Sequence, residues 1–154
     1  MMLTLKQKIE SDLLDNMRSK NEVGKNTLRM LLSSIKLYEI EKSIAIDDSG
    51  VLTQIQKEIK TRKDSINDFQ KGNRQDLVDS TTSEIVFLEQ YLPRQLSDPE
   101  IEIIVRDAIN EVGAMGPSEM GIVMKAILPR ISGQASSDRV SKIVRDLLSQ
   151  KQGN

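Results

Sequence analysis

The sequence predicts an all-α protein in two parts. A long N-terminal helical hairpin or bundle, residues 1–92, leads through a proline-containing hinge to a small C-terminal three-helix domain, residues 93–154. Three observations carry this. Apolar residues recur at helical spacing through nearly the whole chain, not in the alternation of half-buried strands. Aromatic residues are 3% of 154 and tryptophan is absent, so the core is built from Leu, Ile, Val and Met, a poor basis for a β-sandwich or barrel. Finally, Tyr91-Leu92-Pro93-Arg94-Gln95-Leu96-Ser97 stops one helix and starts another. Leu92 precedes a proline and is pushed out of the helical region. Ser97-Asp98-Pro99-Glu100 then reads as a capping box, in which the serine hydroxyl accepts from a backbone N–H and the glutamate reaches back.

Thr4 followed by Gln7 is a second capping-box signal, and Leu5, Ile9, Leu13 and Met17 give a first amphipathic helix over roughly residues 5–20. A second helix carries Val23, Leu28, Leu31, Ile35, Tyr38 and Ile44, with Met30 assigned to the core as filler. Asp47-Asp48-Ser49-Gly50 is a turn with N-cap side chains, a plainer reading than a divalent-cation site. In the third helix, Leu52, Ile55, Ile59, Ile66 and Phe69 form the seam and Arg62 is its one polar member. Glu58 lies four residues before Arg62, the favourable order for an intrahelical pair. On the seam Arg62 would meet an acidic residue of a neighbouring helix or a partner. Gly72 and Asn73 can both take the left-handed conformation that ends a helix. Leu77, Thr81, Ile85, Leu88 and Leu92 line a fourth helix.

Beyond the hinge, Ile101, Ile104, Val105, Ala108, Ile109 and Val112 form a helix ended by Gly113. Gly116-Pro117-Ser118 opens the next, whose inner stripe is Met120, Val123, Met124 and Ile127 and which Pro129 should kink or end. Ser132 to Ser136 is a loop that supplies an N-cap, and Val140, Ile143, Val144, Leu147 and Leu148 give the last helix.

The chain has no cysteine and no histidine, which removes disulfides, Cys- or His-based zinc sites and Cys/His nucleophilic chemistry. No apolar run reaches membrane-spanning length and residues 1–9 lack a signal-peptide core, so a reduced cytoplasmic setting is expected. No glycine-rich phosphate loop is present. Ser136, Ser137 and Lys142 are the types an amidase uses, but without a glycine-rich loop they read as N-cap serines and a surface lysine. No catalytic residue, cofactor site or metal site is assigned. The net charge of −1 excludes a globally basic binder of nucleic acid. Residues 113–154 nevertheless hold six basic residues against three acidic ones. Lys125, Arg130, Arg139, Lys142 and Arg145, with Gly133 before the last helix, are therefore the candidate nucleic-acid contacts. Tyr91, Leu92, Pro93, Gln95 and Leu96 are the candidate hinge.

Four blocks together resemble the GatB/YqeY family, in particular its small stand-alone YqeY-like members. They are Leu28-Arg29-Met30-Leu31 with Ile35-Lys36 and Glu39-Ile40-Glu41; Gln56 to Lys60 with Arg62, Asp64-Ser65-Ile66 and Phe69; Tyr91 to Ser97; and Gly113, Met120-Gly121, Val123-Met124, Pro129, Gly133 and Ala135. Leu37, Asn73 and Ser136-Ser137 depart from the family's usual residues, the last by losing a carboxylate and a glycine. The resemblance implies kinship with the tail of the B subunit of the tRNA-dependent amidotransferase, a carbon–nitrogen ligase that uses glutamine to amidate misacylated tRNA. The parts of that enzyme that do the chemistry are not in this chain. The expected function is thus a non-catalytic helical accessory module that meets tRNA. The alternative is a protein-interaction scaffold working through the N-terminal helices.

Overall fold

A computed structural model of the chain describes residues 2–152. Among the described residues there are seven α-helices and no strand, the all-α class that the sequence predicts. They are α1 (Leu5–Arg18), α2 (Glu22–Lys42), α3 (Asp48–Lys71), α4 (Gln75–Glu89), α5 (Asp98–Val112), α6 (Met120–Ile131) and α7 (Ser137–Gln152). A single 3-10 turn, Pro117–Glu119, leads into α6. The chain divides into two compact units, Met1–Leu92 and Pro93–Asn154.

Side-chain caps set most of the helix starts, α4 and α6 excepted. Thr4 and Gln7 form a capping box at α1, and Ser97 and Glu100 form one at α5. Asn21 and Asp47 accept from the N–H groups of Gly24 and Gly50, three residues on. Asp48 accepts from the Leu5 N–H at 2.9 Å and so ties the start of α3 to the start of α1. The helix ends follow expectation in part. Gly72 sits at φ −88°, and Asn73 takes the left-handed turn at φ 55°. Lys20 and Ser43 end α1 and α2 in the same conformation, which the sequence does not announce because neither is a habitual left-handed residue. Gly113, at φ 70°, ends α5 as expected.

The core of the first unit is an apolar cluster that includes Ile9, Leu28, Leu31, Ile35, Ile55 and Leu88. Buried Gly24 allows a close approach there, since an added Cβ would lie 2.8 Å from the Phe87 ring and collide with the Asn16 amide. Several sequence assignments fail in this unit, Met17 and Val23 among them, since both lie exposed. Met30 is 54% exposed rather than core filler, and Ile44 lies beyond the end of α2 in solvent. All of these positions sit on helical spacing; Ile44 lies past the last turn of α2, and Met30 is covered only in part, through the contact of its sulfur with Arg62.

In the second unit, Ile101 and Val105 of α5, Val123 and Ile127 of α6, and Val140 and Leu148 of α7 meet in one cluster. Pro129 does not end α6, which runs on to Ile131. The proline removes the hydrogen bond to the Lys125 carbonyl, and the helix stops two residues later.

Candidate functional site

The residues read as a hinge are each fastened within their own unit. The Tyr91 hydroxyl, in the first unit, donates to Asp12 at 2.6 Å. Lys8 donates to the same carboxylate at 2.9 Å and stands 5.3 Å from the centre of the Tyr91 ring. Desolvation alone would raise Asp12, but the bonds from Tyr91 and Lys8 outweigh it and hold the carboxyl below its usual value. Burial, and then the Asp12 carboxylate, push the Tyr91 phenol well above its ordinary range. Leu92 packs against the same core.

In the second unit, the segment before α5 is bound to the loop before α7. The Leu96 N–H donates to the Gln134 carbonyl at 2.8 Å. The Gln95 amide donates to the carbonyls of Pro93 (2.9 Å) and Gly133 (2.8 Å). Arg139 reaches back to the Leu96 carbonyl (2.9 Å) and to Asp98 (2.7 Å). Arg94 grips Glu100 with both terminal nitrogens, and that hydrogen bond is the main reason the Glu100 carboxyl is lowered to about 2. Of the predicted site residues, the fold thus gathers Gln95, Leu96, Gly133 and Arg139 into one clasp. Gly133 is buried there at φ 73°, with its carbonyl occupied by Gln95.

The candidate basic residues separate into two groups. Arg130 is spent on an ion pair with Glu111 and Arg139 on the clasp. Lys125, Lys142 and Arg145 are exposed, and among the described residues none is held in an ion pair. The positive bias of residues 113–154 is not shared by the second unit as a whole. Once α5 is counted, residues 93–154 carry eight basic and eight acidic side chains. On α7 itself, at about 100° per residue, Asp138 and Asp146 fall between Arg145, Lys142 and Arg139 in one arc, so that face alternates in sign.

Arg62 is 6% exposed and stands at the centre of a polar cluster in the first unit. It pairs with Glu58 at 2.7 Å, lies 3.6 Å from Glu84 of α4, and donates to the Met30 sulfur at 3.7 Å. Ser34 of α2 donates to the other Glu58 oxygen at 2.6 Å. The predicted intrahelical pair and the acidic neighbour on another helix are both present, while the Arg62 Nε has no hydrogen-bond partner. The Met30 contact and Ser34 went unread, because nothing in the linear pattern registers α2 against α3. Among the described residues, no group of three or more His, Cys, Asp and Glu comes together to hold a metal. An open notch of about 270 Å³ lies between α5 and α7, floored by Ile109 and Leu147 and rimmed by Arg106, Asn110, Gln150 and Lys151.

Comparison with known proteins gives this architecture relatives. The sequence profile of the Yqey-like protein family matches residues 6–148. A Pyrenophora tritici-repentis protein named Altered inheritance of mitochondria protein 41, mitochondrial, is 30% identical over 148 residues, 94% of this chain and 81% of the relative. A protein of the same name from Lachancea thermotolerans is 36% identical over 113 residues, 71% of this chain but only 60% of its own length. An uncharacterized protein of Schizosaccharomyces pombe is 36% identical over 90 residues, 58% of this chain and 73% of the relative.

Proposed function

The chain belongs to the Yqey-like protein family, and from that premise we propose that it is a non-catalytic helical accessory protein that associates with tRNA in support of tRNA-dependent amidotransferase function. The observation that carries this reading is the trio of exposed cations, Lys125, Lys142 and Arg145, left without ion pairs while the other two candidate arginines are spent on structure. Such cations gain affinity by displacing counterions from phosphates, so binding should weaken steeply with salt. The family resemblance supplies the identity of the nucleic acid. Filter binding of tRNA over a salt series tests it. Replacing Lys125, Lys142 and Arg145 together by Glu should abolish retention and flatten the salt dependence. Absence of binding at low salt in the unaltered protein overturns the reading.

A second reading has its own observation. Val23, Met30 and Leu37 recur every seven residues on α2 and all three are exposed, the pattern of a seam that another helix covers. On this reading the N-terminal helices are a scaffold for a protein partner. Capture of a partner that survives nuclease treatment and is lost in Met30→Glu would favour it over the tRNA reading. For the setting we propose the cytoplasm. The relatives' names carry the word mitochondrial, which makes the organelle the competing outcome of a fractionation experiment.

A further inference from the structure

Gly121 has no structural reason to be glycine. It lies in α6 with no positive φ, and a Cβ built there would meet nothing within 4 Å. Glycine weakens a helix relative to alanine, and among the described residues none comes within 4 Å of the room that is left. One turn on, Lys125 is exposed, and one turn further stands Pro129, also exposed. These three share a ridge, since residues four apart lie on one face of a helix. Pro129 has no N–H, so the Lys125 carbonyl lacks the donor that a regular helix would give it. The ridge therefore presents bare backbone, a cation and an acceptor in want of a donor. Ile122 (58% exposed) and Leu128 (45% exposed) flank it. Of the seven helices α6 alone contains no Asp or Glu, and its other cation, Arg130, is neutralised by Glu111.

We propose that the Gly121–Lys125–Pro129 ridge of α6 is the seat of a ribose–phosphate unit of an RNA strand. The phosphate pairs with the Lys125 Nζ, the sugar passes close over Gly121 against Ile122 and Leu128, and the ribose 2′-hydroxyl donates to the Lys125 carbonyl. The proposal rests on the tRNA reading above and adds the surface and the group recognised. RNA fits the observations better than a partner helix. An apolar helix laid on this ridge would bury the ammonium and leave the carbonyl unpaired, whereas a ribose–phosphate satisfies both. It also fits α6 better than the sign-alternating face of α7.

The test uses the full chain with a tRNA transcript and a DNA of the same sequence as probes. Lys125→Ala should weaken RNA binding several-fold and lower the salt slope by about one. Gly121→Leu should weaken it at least as much, while helix content and thermal midpoint hold or rise because leucine is the better helix former. Pro129→Ala returns a donor to the Lys125 carbonyl, so it should stabilise the fold and narrow the preference for RNA over DNA. If the unaltered protein binds tRNA and all three variants bind as it does, the ridge proposal is overturned and the tRNA reading stands. If Gly121→Leu instead abolishes capture of a protein partner and leaves tRNA binding untouched, the proposal is likewise overturned. If the unaltered protein binds neither probe at low salt, both fall.

Discussion

Residues 1–92 fold around a core that admits Thr27, Gln54, Arg62 and Thr81, whereas every side chain buried in residues 93–154, among those described, is apolar. The first unit is built around two long helices, α2 of 21 residues and α3 of 24. Two such helices can slide by a turn with little change in apolar fit, because Leu, Ile and Val repeat along them. The Ser34–Glu58–Arg62–Glu84 cluster penalises that slip, since any other register strands a buried guanidinium. The second unit has no such long pair, its helices running to 15, 12 and 16 residues, and it takes its definition from the clasp of Gln95, Leu96 and Arg139 on the loop before α7. Its polar bonds lie around the core, not within it.

The largest effect should come from the apolar core. Ile127 is fully buried, and Ile127→Ala should destabilise the second unit by about 4 kcal/mol, read by urea unfolding. A loss under about 1 kcal/mol would mean that the clasp, not the core, holds that unit. Next comes Arg62→Ala, at about 3 kcal/mol, because it leaves two carboxylates facing each other without their cation. Arg62→Met keeps the packing and should cost clearly less. Equal losses in the two variants would show that volume, not charge, is what the first unit needs there. Tyr91→Phe should cost about 1.5 kcal/mol, the usual worth of a hydrogen bond to a charged group, and should raise the Asp12 pKa measured by NMR.

The smallest effect concerns acid. Glu100 has its pKa lowered from 4.5 to about 2, chiefly by the hydrogen bond from Arg94. A depressed carboxyl stabilises the folded state fully above its unfolded value and loses that contribution as pH falls through the folded one. The start of α5 should therefore hold down to about pH 4.5 and loosen as pH falls towards 2. Asp12, also depressed, should loosen the Tyr91 anchor in the first unit in the same direction. Amide shifts followed from about pH 6 to about 2 test both, and Arg94→Gln should move the α5 change to higher pH.

Much of this was legible from residues in sequence. The capping boxes at Thr4 and Ser97 and the Glu58–Arg62 pair are local, and a few neighbouring residues decide each of them. The four helices before the hinge and three after it followed from apolar periodicity in the same way. Met30 and Ile44 shared that periodicity and lie exposed, because spacing tells which residues share a face but not how far the neighbouring helix extends.

The chemistry of the surface was decided only in three dimensions. Arg130 finds Glu111 at a separation of 19 residues, and Arg139 finds Asp98 at 41, so two cations that look available in the sequence are spent on structure. Gln95 meets Gly133 at a separation of 38 and turns a candidate anion loop into a clasp. The helices and their caps are set by interactions within a turn or two of chain and are written in the order of residues. Which charges stay free depends on what packing brings together across distant segments, and that exists only once the helices have met.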